Sequence, residues 1–554
     1  MVDPAAPQRT DSAKTSLVCL LGAGLEAEAR RLASDAEARI VLVVEPGEDG
    51  PDLPYPAVVC RGEADALQSI LGMQGRFTGR AIVRSEPGVP EGRERARRFA
   101  ERLDTCLRSK QLQTATIAKT GPLFVRHGLA NLPEVARYPS IHGLDAAFAA
   151  KPCVIVSPGP SLSKNLHLVR ELKGRALVMT GTHALGAFAH AGIAPDLVLA
   201  ADAGDLARHL RDSDLSESAA MLVGATCAPE TFSAARERGA RRIVTFAANN
   251  NIDHWIYQPL DEDAGLSTGG SVACSAFSLA VKLGCDPIIF VGQDLSFPDG
   301  RFYAEESLDG TSKVVLDGDG NYRLEKPPET TDEYGAGRLE DGTLLFTRDR
   351  PTVTVPGYRG GRVLSSEPFQ AFLFWFEAAI ELLGTERRVW NATEGGARIA
   401  GTRQLTLAEA LAELPSDEPL DADLVFASHA ESFDPELRRN ALLEHTRGTR
   451  SELVRVLTLA ERCVRLAEGG ETDSWALSRL AAAERALQQA SRSIGCLSVH
   501  SQGRIVLATE RARDATTIEE NLIASAELYR AFRDGARELL DPVSDAIGAL
   551  GSAI

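Results

Sequence analysis

Short apolar runs alternate with helical patterns along the first three quarters of the chain. The apolar runs lie at 17–21, 40–44, 154–156, 176–180, 197–200, 221–224, 243–246 and 288–291. Between them, apolar residues recur at the three- and four-residue spacing of amphipathic helices, as at 183–191 and 273–283. Strands that alternate with helices in this way predict an α/β fold with a mostly parallel sheet.

The pattern changes after about residue 405. Ala, Leu, Glu and Arg then dominate, and apolar positions such as Leu453, Leu457 and Ala460 follow the helical repeat. We predict about three long helices in a C-terminal bundle, separated at Gly469-Gly470 and near residues 501–503. Such a bundle is either a structural appendage or a platform on which a partner helix docks.

The length of 554 residues is too great for one hydrophobic core. The changes of pattern divide the chain into a disordered start (1–14), a Rossmann-like N-terminal domain (15–120), a central α/β domain (121–405) and a C-terminal helical bundle (406–554). The first two folded domains meet in a proline-bearing connecting segment, which we expect to mark their boundary.

Charge and cysteine content exclude several classes of function. The net charge of −17 disfavours a nucleic-acid partner, because such binding depends on lysine and arginine contacts to phosphates. The nine cysteines contain no Cys-x-x-Cys motif, and no His-Glu-x-x-His motif is present, so neither disulfides nor a metal site are indicated. No apolar run approaches the ~18 residues of a membrane span, so we expect a cytoplasmic protein without a membrane partner.

A glycine turn follows the first apolar run. The segment Gly22-Ala23-Gly24 precedes a helix, and Glu45 ends the next strand, where a carboxylate suits ribose hydroxyls. Ala27 stands in place of the third glycine of a dinucleotide-binding motif. The turn is therefore either a cofactor site or part of a Rossmann-like domain retained for its shape.

A second turn, at Ser157–Leu162, opens the central domain between a strand and a helix. Gly159 would let a ligand approach the backbone, while Ser161 and Ser163 could cap the helix. The free amides at the start of this helix favour an anion, most often a phosphate. The alternative is an ordinary strand-to-helix turn that binds nothing.

Polar residues follow several other strands of the central domain. Thr182, Asp202, Asn249 and Asp294 each come after an apolar run, and Ser271 precedes an apolar helix. Ligands in open α/β sheets bind at the carboxyl ends of strands, so we expect these residues to frame one cleft. The Gly- and Asp-rich segment at 299–350 is predicted to be a long surface loop, either a lid or an acceptor-facing loop.

Four motifs together resemble one family. They are Gly-Pro-Ser-Leu at 159–162, Pro195-Asp196 with the strand to Asp202, the serine and glycine residues at 267–271 with the helix and strand leading to Asp294, and Asn391–Ala397. The central region is similar to that of the motility accessory factors, bacterial flagellin glycosyltransferases related to small bacterial sialyltransferases. A shorter relative, the archaeal-type pterin diphosphokinase, shares the first two motifs.

The resemblance implies an enzyme that transfers a nonulosonic acid, of the pseudaminic or legionaminic type, from its CMP conjugate to serine or threonine hydroxyls of flagellin. It implies no permanently bound cofactor and no metal. By motif, Gly159, Pro160 and Ser161 would line a phosphate turn, Thr182 and Asp202 would bind the nucleotide, and Ser267, Thr268, Gly269 and Gly270 would hold the cytidine or sugar. The alternatives are a pterin or other small-molecule diphosphokinase and a non-catalytic flagellin-binding factor.

The catalytic groups depart from the family pattern. Of the two tyrosines that assist the leaving phosphate in the related sialyltransferases, Tyr303 corresponds to one and Ser296 replaces the other. No histidine lies near residues 356–358, where the family's general base would fall. Asp294 and Glu394, each at a strand end in a glycine-rich turn, are then the candidate bases, although either could merely hold a loop.

Overall fold

The computed structural model describes residues 15–33, 39–45, 51–54, 57–72, 80–86, 90–204, 206–248, 251–326, 336–338, 344–346, 350–414, 420–492 and 494–552. Its strands are β1 Thr15–Leu21, β2 Arg39–Val44, β3 Ala57–Arg61, β4 Arg80–Ser85, β5 Cys153–Val156, β6 Leu177–Gly181, β7 Leu197–Ala200, β8 Ala220–Gly224, β9 Ile243–Phe246, β10 Ile288–Val291, β11 Lys313–Leu316, β12 Asn321–Lys326, β13 Ala336–Arg338, β14 Leu344–Phe346, β15 Arg350–Pro356, β16 Arg362–Ser366, β17 Val389–Asn391 and β18 Arg403–Gln404.

The helices are α1 Glu26–Ala33, α2 Glu63–Gly72, α3 Pro90–Ala130, α4 Leu132–Arg137, α5 Leu162–Val169, α6 Leu185–Ala191, α7 Ala207–Leu210, α8 Glu230–Glu237, α9 Asn251–Tyr257, α10 Val272–Lys282, α11 Glu367–Leu383, α12 Leu407–Glu413, α13 Ala422–Glu431, α14 Pro435–Glu468, α15 Ser474–Arg492, α16 Gly495–Asp514 and α17 Ile518–Ser552. Helices and parallel strands alternate through most of the chain, which confirms the predicted α/β class.

The N-terminal sheet has the order β3-β2-β1-β4, and its strands are parallel. Both faces are covered, so β1 and β2 are buried almost throughout. This is why their sequences read as unbroken apolar runs. The chain adds β2 and β3 on one side of β1 and then places β4 on the other side. The direction in which strands are added therefore reverses beside β1.

Helix α3 crosses the position near residue 120 at which the sequence pattern predicts the boundary between the N-terminal and central domains. One helix runs from Pro90 to Ala130 and includes Pro122. Val125 and Leu129 lie in the core of the central region, so the apolar face of α3 continues past the proline. The same helix therefore contributes to both the N-terminal and the central cores.

The central sheet has the order β18-β17-β10-β5-β6-β7-β8-β9, and every pairing in it is parallel. The chain moves outward from β5 to β9 and then returns to the other side of β5 with β10. The strand order thus reverses between β5 and β10. In open α/β sheets, this switch point is where a crevice opens at the carboxyl ends of the strands.

Residues 299–350 differ from the predicted surface loop. The described part of this segment contains antiparallel strands, in which β12 pairs with β11, with β14 and with β15. Tyr322 and Leu324 pack with Phe297 in a small core. These two apolar residues alternate with polar ones in β12, but the surrounding Gly and Asp residues obscured this two-residue pattern.

Long helices make up the C-terminal region, as predicted, but one break was misplaced. Residues 501–503 lie inside α16, which begins at Gly495, whereas Gly469-Gly470 does separate α14 from α15. Buried residues of α14 and α17 share one core with the central sheet. Among the described residues, no helix combines the length and apolarity needed to cross a membrane.

Candidate active site

The turns after β5 and β10 meet at the switch point of the central sheet. The Ser157 amide donates to Val291 O at 2.8 Å, and the Gly159 amide donates to Gly292 O at 2.9 Å. The backbone pairing of the two strands therefore continues into their turns. This brings the Gly-Pro-Ser motif against Asp294, which lies 135 residues from Gly159 in sequence.

Asp294 binds the start of helix α5. Its Oδ2 accepts a hydrogen bond from the Ser161 amide at 3.0 Å, and its Oδ1 accepts one from Ser161 Oγ at 2.5 Å. Ser161 was expected to cap α5, but its side chain makes no capping bond and instead binds Asp294. The anion at this helix start is therefore the protein's own carboxylate.

Gly159 is explained by this same contact. A Cβ atom at this position would lie 2.2 Å from Asp294 Oδ2 and 2.3 Å from Gly292 O. No side chain fits at such distances, so glycine is required for the two turns to pack. A substitution of Gly159 would disturb the fold as well as any ligand, and it therefore cannot by itself separate binding from architecture.

The electrostatics of Asp294 follow from its burial. Only 2% of the residue is exposed, and desolvation raises its pKa to about 6, although the Ser161 hydrogen bonds and the Lys164 charge oppose that rise. A general base has to reach a substrate hydroxyl. Because both oxygens of Asp294 already contact Ser161, its position suits a residue that holds the turn in place.

Glu394 lies in the turn after β17. Its Oε1 accepts a hydrogen bond from the Leu407 amide at 2.9 Å, at the start of α12, and its carbonyl oxygen accepts one from Arg359 at 3.3 Å. The neighbouring Thr393 Oγ1 accepts a bond from the Gln293 amide at 3.1 Å. The Asn391–Ala397 motif thus lies beside the Asp294 turn, and Glu394 joins it to α12.

A second cluster lies at the carboxyl ends of β6 and β7. Thr182 Oγ1 lies 3.0 Å from His209 Nδ1, and both residues are buried. The rings of His183 and His209 meet edge to face, with centroids 4.1 Å apart. Tyr303 stacks on His183, with centroids 5.4 Å apart and planes 28° apart.

Charged groups surround Tyr303. Burial raises the pKa of its phenol well above the ordinary value, the negative charges of Asp309 and Asp202 raise it further, and Arg208 lowers it. Arg208 also pairs with Asp309 at 3.5 Å. Tyr303 is therefore protonated at neutral pH and can donate a hydrogen bond.

The loop at 301–310 connects this cluster to the Gly159 turn. The Ala304 amide donates to Pro158 O at 2.7 Å, and the Leu308 amide donates to His183 O at 3.2 Å. Ser163 Oγ donates to Glu306 at 2.5 Å. One loop thus contacts the turns after β5 and β6, so the two clusters are neighbours at the carboxyl ends of these strands, where an open α/β sheet forms its crevice.

The serine and glycine motif before α10 lies on another side of this crevice. Ser271 caps α10 through the Ala273 amide at 3.4 Å, and the Ser271 amide donates to Thr268 O at 2.8 Å. Ser267 Oγ accepts a hydrogen bond from Trp375 at 3.2 Å. A Cβ atom on Gly181 would lie 3.2 Å from Val272, so the start of α10 lies beside the end of β6.

The sequence-predicted residues therefore fall into three groups. The crevice brings together the Gly159–Ser161 turn with Asp294, the cluster of Thr182, Asp202 and Tyr303, and the start of α10 at 267–271. Glu394 borders the first group. Asn249 lies outside the described residues.

Sequence reasoning missed His209, Arg208 and Asp309. His209 and Arg208 lie on α7, only four residues long, and Asp309 lies in the loop after β10. Their only sequence signal was that α7 follows the strand that ends near Asp202. His183 stands at the start of the helix predicted at 183–191, but its contacts with His209 and Tyr303 depend on tertiary structure.

The N-terminal glycine turn also holds a carboxylate. The Gly24 amide donates to Glu86 Oε1 at 2.7 Å, and Glu86 follows β4. Glu45, the carboxylate that would suit a ribose if this turn held a cofactor, pairs with Arg95. Among the described residues, no group of three or more His, Cys, Asp or Glu side chains is arranged to hold a metal ion.

Comparison with known proteins gives one family match. Residues 126–300 match the family described as 6-hydroxymethylpterin diphosphokinase MptE-like. A solved structure of a MAf glycosyltransferase from Magnetospirillum magneticum AMB-1 aligns with 97% of this chain and 80% of that chain, at 14% sequence identity and a TM-score of 0.48. No curated protein sequence matches. The similarity to the pterin diphosphokinase relative, inferred from two of the sequence motifs, is confirmed for residues 126–300 of this chain.

Proposed function

We propose that this protein is a cytoplasmic glycosyltransferase that transfers a nonulosonic acid from its CMP conjugate to serine or threonine hydroxyls of flagellin. The reaction would take place in the crevice between the Gly159 turn, the start of α10 and the Tyr303 cluster. The sugar class and flagellin come from the sequence resemblance, and the geometry of the crevice supports the type of reaction.

The observation that carries the proposal is the environment of Tyr303. Its phenol stays protonated, and Arg208 lies nearby. A departing nucleoside monophosphate develops negative charge on the phosphate oxygen that leaves the sugar. A phenol that donates a hydrogen bond and an adjacent guanidinium would stabilise that charge, which matches the role that the resemblance gives to Tyr303.

The other predicted residues are assigned around this group. Asp202 is exposed at the end of β7, where its carboxylate suits ribose hydroxyls. The turn at Ser267–Gly270 and the α10 amides beside Ser271 offer polar groups to the cytidine or the sugar carboxylate. We assign to Asp294 the role of holding the turn that contains Gly159, Pro160 and Ser161. Glu394 would hold the neighbouring turn after β17.

A second candidate function is supported by the family match. The matched family is named for a pterin diphosphokinase, so ATP and a hydroxymethylpterin are the rival substrates. A flagellin-binding factor without chemistry is the third possibility. The first two release different nucleotides, CMP and AMP, and the third releases none.

The test is to incubate the protein with CMP-pseudaminic acid or CMP-legionaminic acid, with and without flagellin, and in parallel with ATP, Mg²⁺ and 6-hydroxymethylpterin. We expect CMP release that depends on flagellin, together with a mass increase of flagellin by one sugar. AMP formed from ATP and pterin would support the diphosphokinase instead. Flagellin binding without either product would support the third possibility.

Tyr303→Phe tests the assigned role. Removal of the phenol hydroxyl should lower kcat ~100-fold, the typical loss when one donor to a developing negative charge is removed. Tyr138→Phe is the matched control, because Tyr138 stacks on Phe232 and its hydroxyl pairs with Arg236, away from the crevice. Equal activities of the two variants would remove Tyr303 from the mechanism.

A further inference from the structure

His183 and His209 form a pair with an asymmetric environment. His209 is buried, with 7% of the residue exposed, and its Nδ1 lies 3.0 Å from Thr182 Oγ1. His183 is partly exposed and lies between the edge contact with His209 and the face of Tyr303. The inner imidazole is thus fixed by a hydroxyl, while the outer one keeps some exposure to solvent.

We propose that His183 is the catalytic base of the transfer and that His209 is its positioning residue. This inference rests on the proposed function and deepens it, because the sequence offered no histidine for the base. The position next to Tyr303 places a proton acceptor beside the proposed donor to the leaving phosphate. Histidine is suited to this task because its ordinary pKa lies near neutral pH.

The reaction step balances without any further reactant. The acceptor oxygen of a serine or threonine forms a bond to the anomeric carbon of the sugar, and the bond from that carbon to the phosphate oxygen breaks. The electron pair of the broken bond leaves with CMP, whose phosphate is stabilised by Tyr303 and Arg208. The hydroxyl proton passes to His183 and then to solvent.

The close contact between the rings explains why two histidines are present. Two imidazolium cations with centroids 4.1 Å apart repel each other, so the pair favours a single proton. Other charged or titratable groups of the cluster are Arg208 on α7, Asp202 after β7, and Tyr303 and Asp309 in the loop at 301–310. His209 would therefore limit protonation of His183 and hold its ring towards the crevice.

A purely structural role makes different predictions. If the histidines only pack the loop at 301–310 against β6, their replacement should lower stability and donor binding together. If His183 is the base, its replacement should lower kcat and leave CMP affinity nearly unchanged. The pH profile should also lose its acid limb, since that limb reports protonation of the base.

The experiment compares the full-length protein with His183→Asn and His209→Asn in the flagellin-dependent CMP-release assay. His190→Asn is the matched control, because His190 is exposed on the same helix region and lies outside the cluster. We expect kcat to fall at least 100-fold in His183→Asn, with the dissociation constant for CMP within threefold of wild type. His209→Asn should lose about tenfold in kcat and shift the acid limb of kcat/KM.

A second variant covers the case in which His183→Asn is misfolded. In His183→Ala, added imidazole should restore part of the activity, which a merely structural residue would not show. Full activity of His183→Asn while the wild type turns over would overturn this inference and leave the proposed function intact. A wild type that releases no CMP with flagellin would overturn both.

Discussion

The N-terminal and central sheets contain the same arrangement at their switch points. A glycine turn follows β1 in the N-terminal sheet and β5 in the central sheet, and each of these strands lies where the strand order reverses. An acidic residue that follows the neighbouring strand then accepts a hydrogen bond from an amide of that turn. Glu86 binds the Gly24 amide at 2.7 Å, and Asp294 binds the Ser161 amide at 3.0 Å.

The two arrangements differ in burial. Asp294 is 2% exposed and also binds the Ser161 hydroxyl, whereas Glu86 is partly exposed on a longer side chain. A buried hydrogen bond to a charged group is costly to break, because the partner left behind loses its interaction away from water. The same hydrogen-bond pattern therefore fixes the position of a buried turn in the central sheet and contributes little to the stability of the N-terminal turn.

The largest expected effect comes from adding a methyl group to each turn. Gly159→Ala would force a Cβ atom against Gly292 O and Asp294, where the backbone cannot yield, and should lower the free energy of unfolding by ~3 kcal/mol or more. Gly24→Ala would meet only the end of the Glu86 side chain, at 2.8 Å, and should cost less than ~1 kcal/mol. Urea unfolding of both variants measures the difference, and equal losses would contradict the comparison.

The next effect depends on pH. Burial raises the pKa of Asp294 from 3.8 to about 6, so the folded chain holds this proton more tightly than the unfolded chain. The stabilising contribution is therefore full below about pH 4 and is lost as the pH rises through about 6. At ~1.4 kcal/mol per pKa unit, the loss amounts to about 3 kcal/mol at most.

Asp294→Asn removes this titration while keeping the shape of the side chain. We expect the free energy of unfolding of the wild type, relative to that of Asp294→Asn, to decrease between pH 4 and pH 7. The other carboxylates titrate alike in both proteins, so their contributions cancel in this difference. Urea unfolding at several pH values measures this difference. A constant difference across the range would show that Asp294 is not buried as described.

The smallest effect is expected at the N-terminal turn. Glu86→Gln keeps an oxygen that can accept the bond from the Gly24 amide, and the site is open to solvent, so the free energy of unfolding should change by less than ~0.5 kcal/mol. Thermal unfolding against the wild type is sufficient to detect a larger change. A loss above ~1.5 kcal/mol would mean that Glu86 holds its turn as firmly as Asp294 does.

Much of the fold could be predicted because its signals are local. The buried parallel strands β1, β5, β7 and β10 appeared as apolar runs, and α10 appeared as a helical repeat. Errors arose where the signal was weak or was overridden. The predicted domain boundary near residue 120 falls inside α3, and a Gly- and Asp-rich composition concealed the antiparallel strands around Tyr322.

The candidate site was only partly predictable. Thr182, Asp202, Tyr303 and the Gly159 turn were identified, but the sequence could not show that Ser161 binds Asp294 rather than a ligand. It also gave no reason to join His209 to Thr182, or Arg208 to Asp309. These partners come from separate strands and loops, and no local repeat relates them.

The α/β class, the positions of most parallel strands and the residues at their carboxyl ends follow from the sequence alone, because burial on two faces and helical repeats act over a few neighbouring residues. Which polar groups meet depends on the tertiary structure. The reversal of strand order between β5 and β10 brings Asp294 to Ser161, and the packing of the loop at 301–310 on β6 brings Tyr303 to His183. Such contacts depend on the paths of distant segments, and hydrogen bonds between them have no signature in either segment alone.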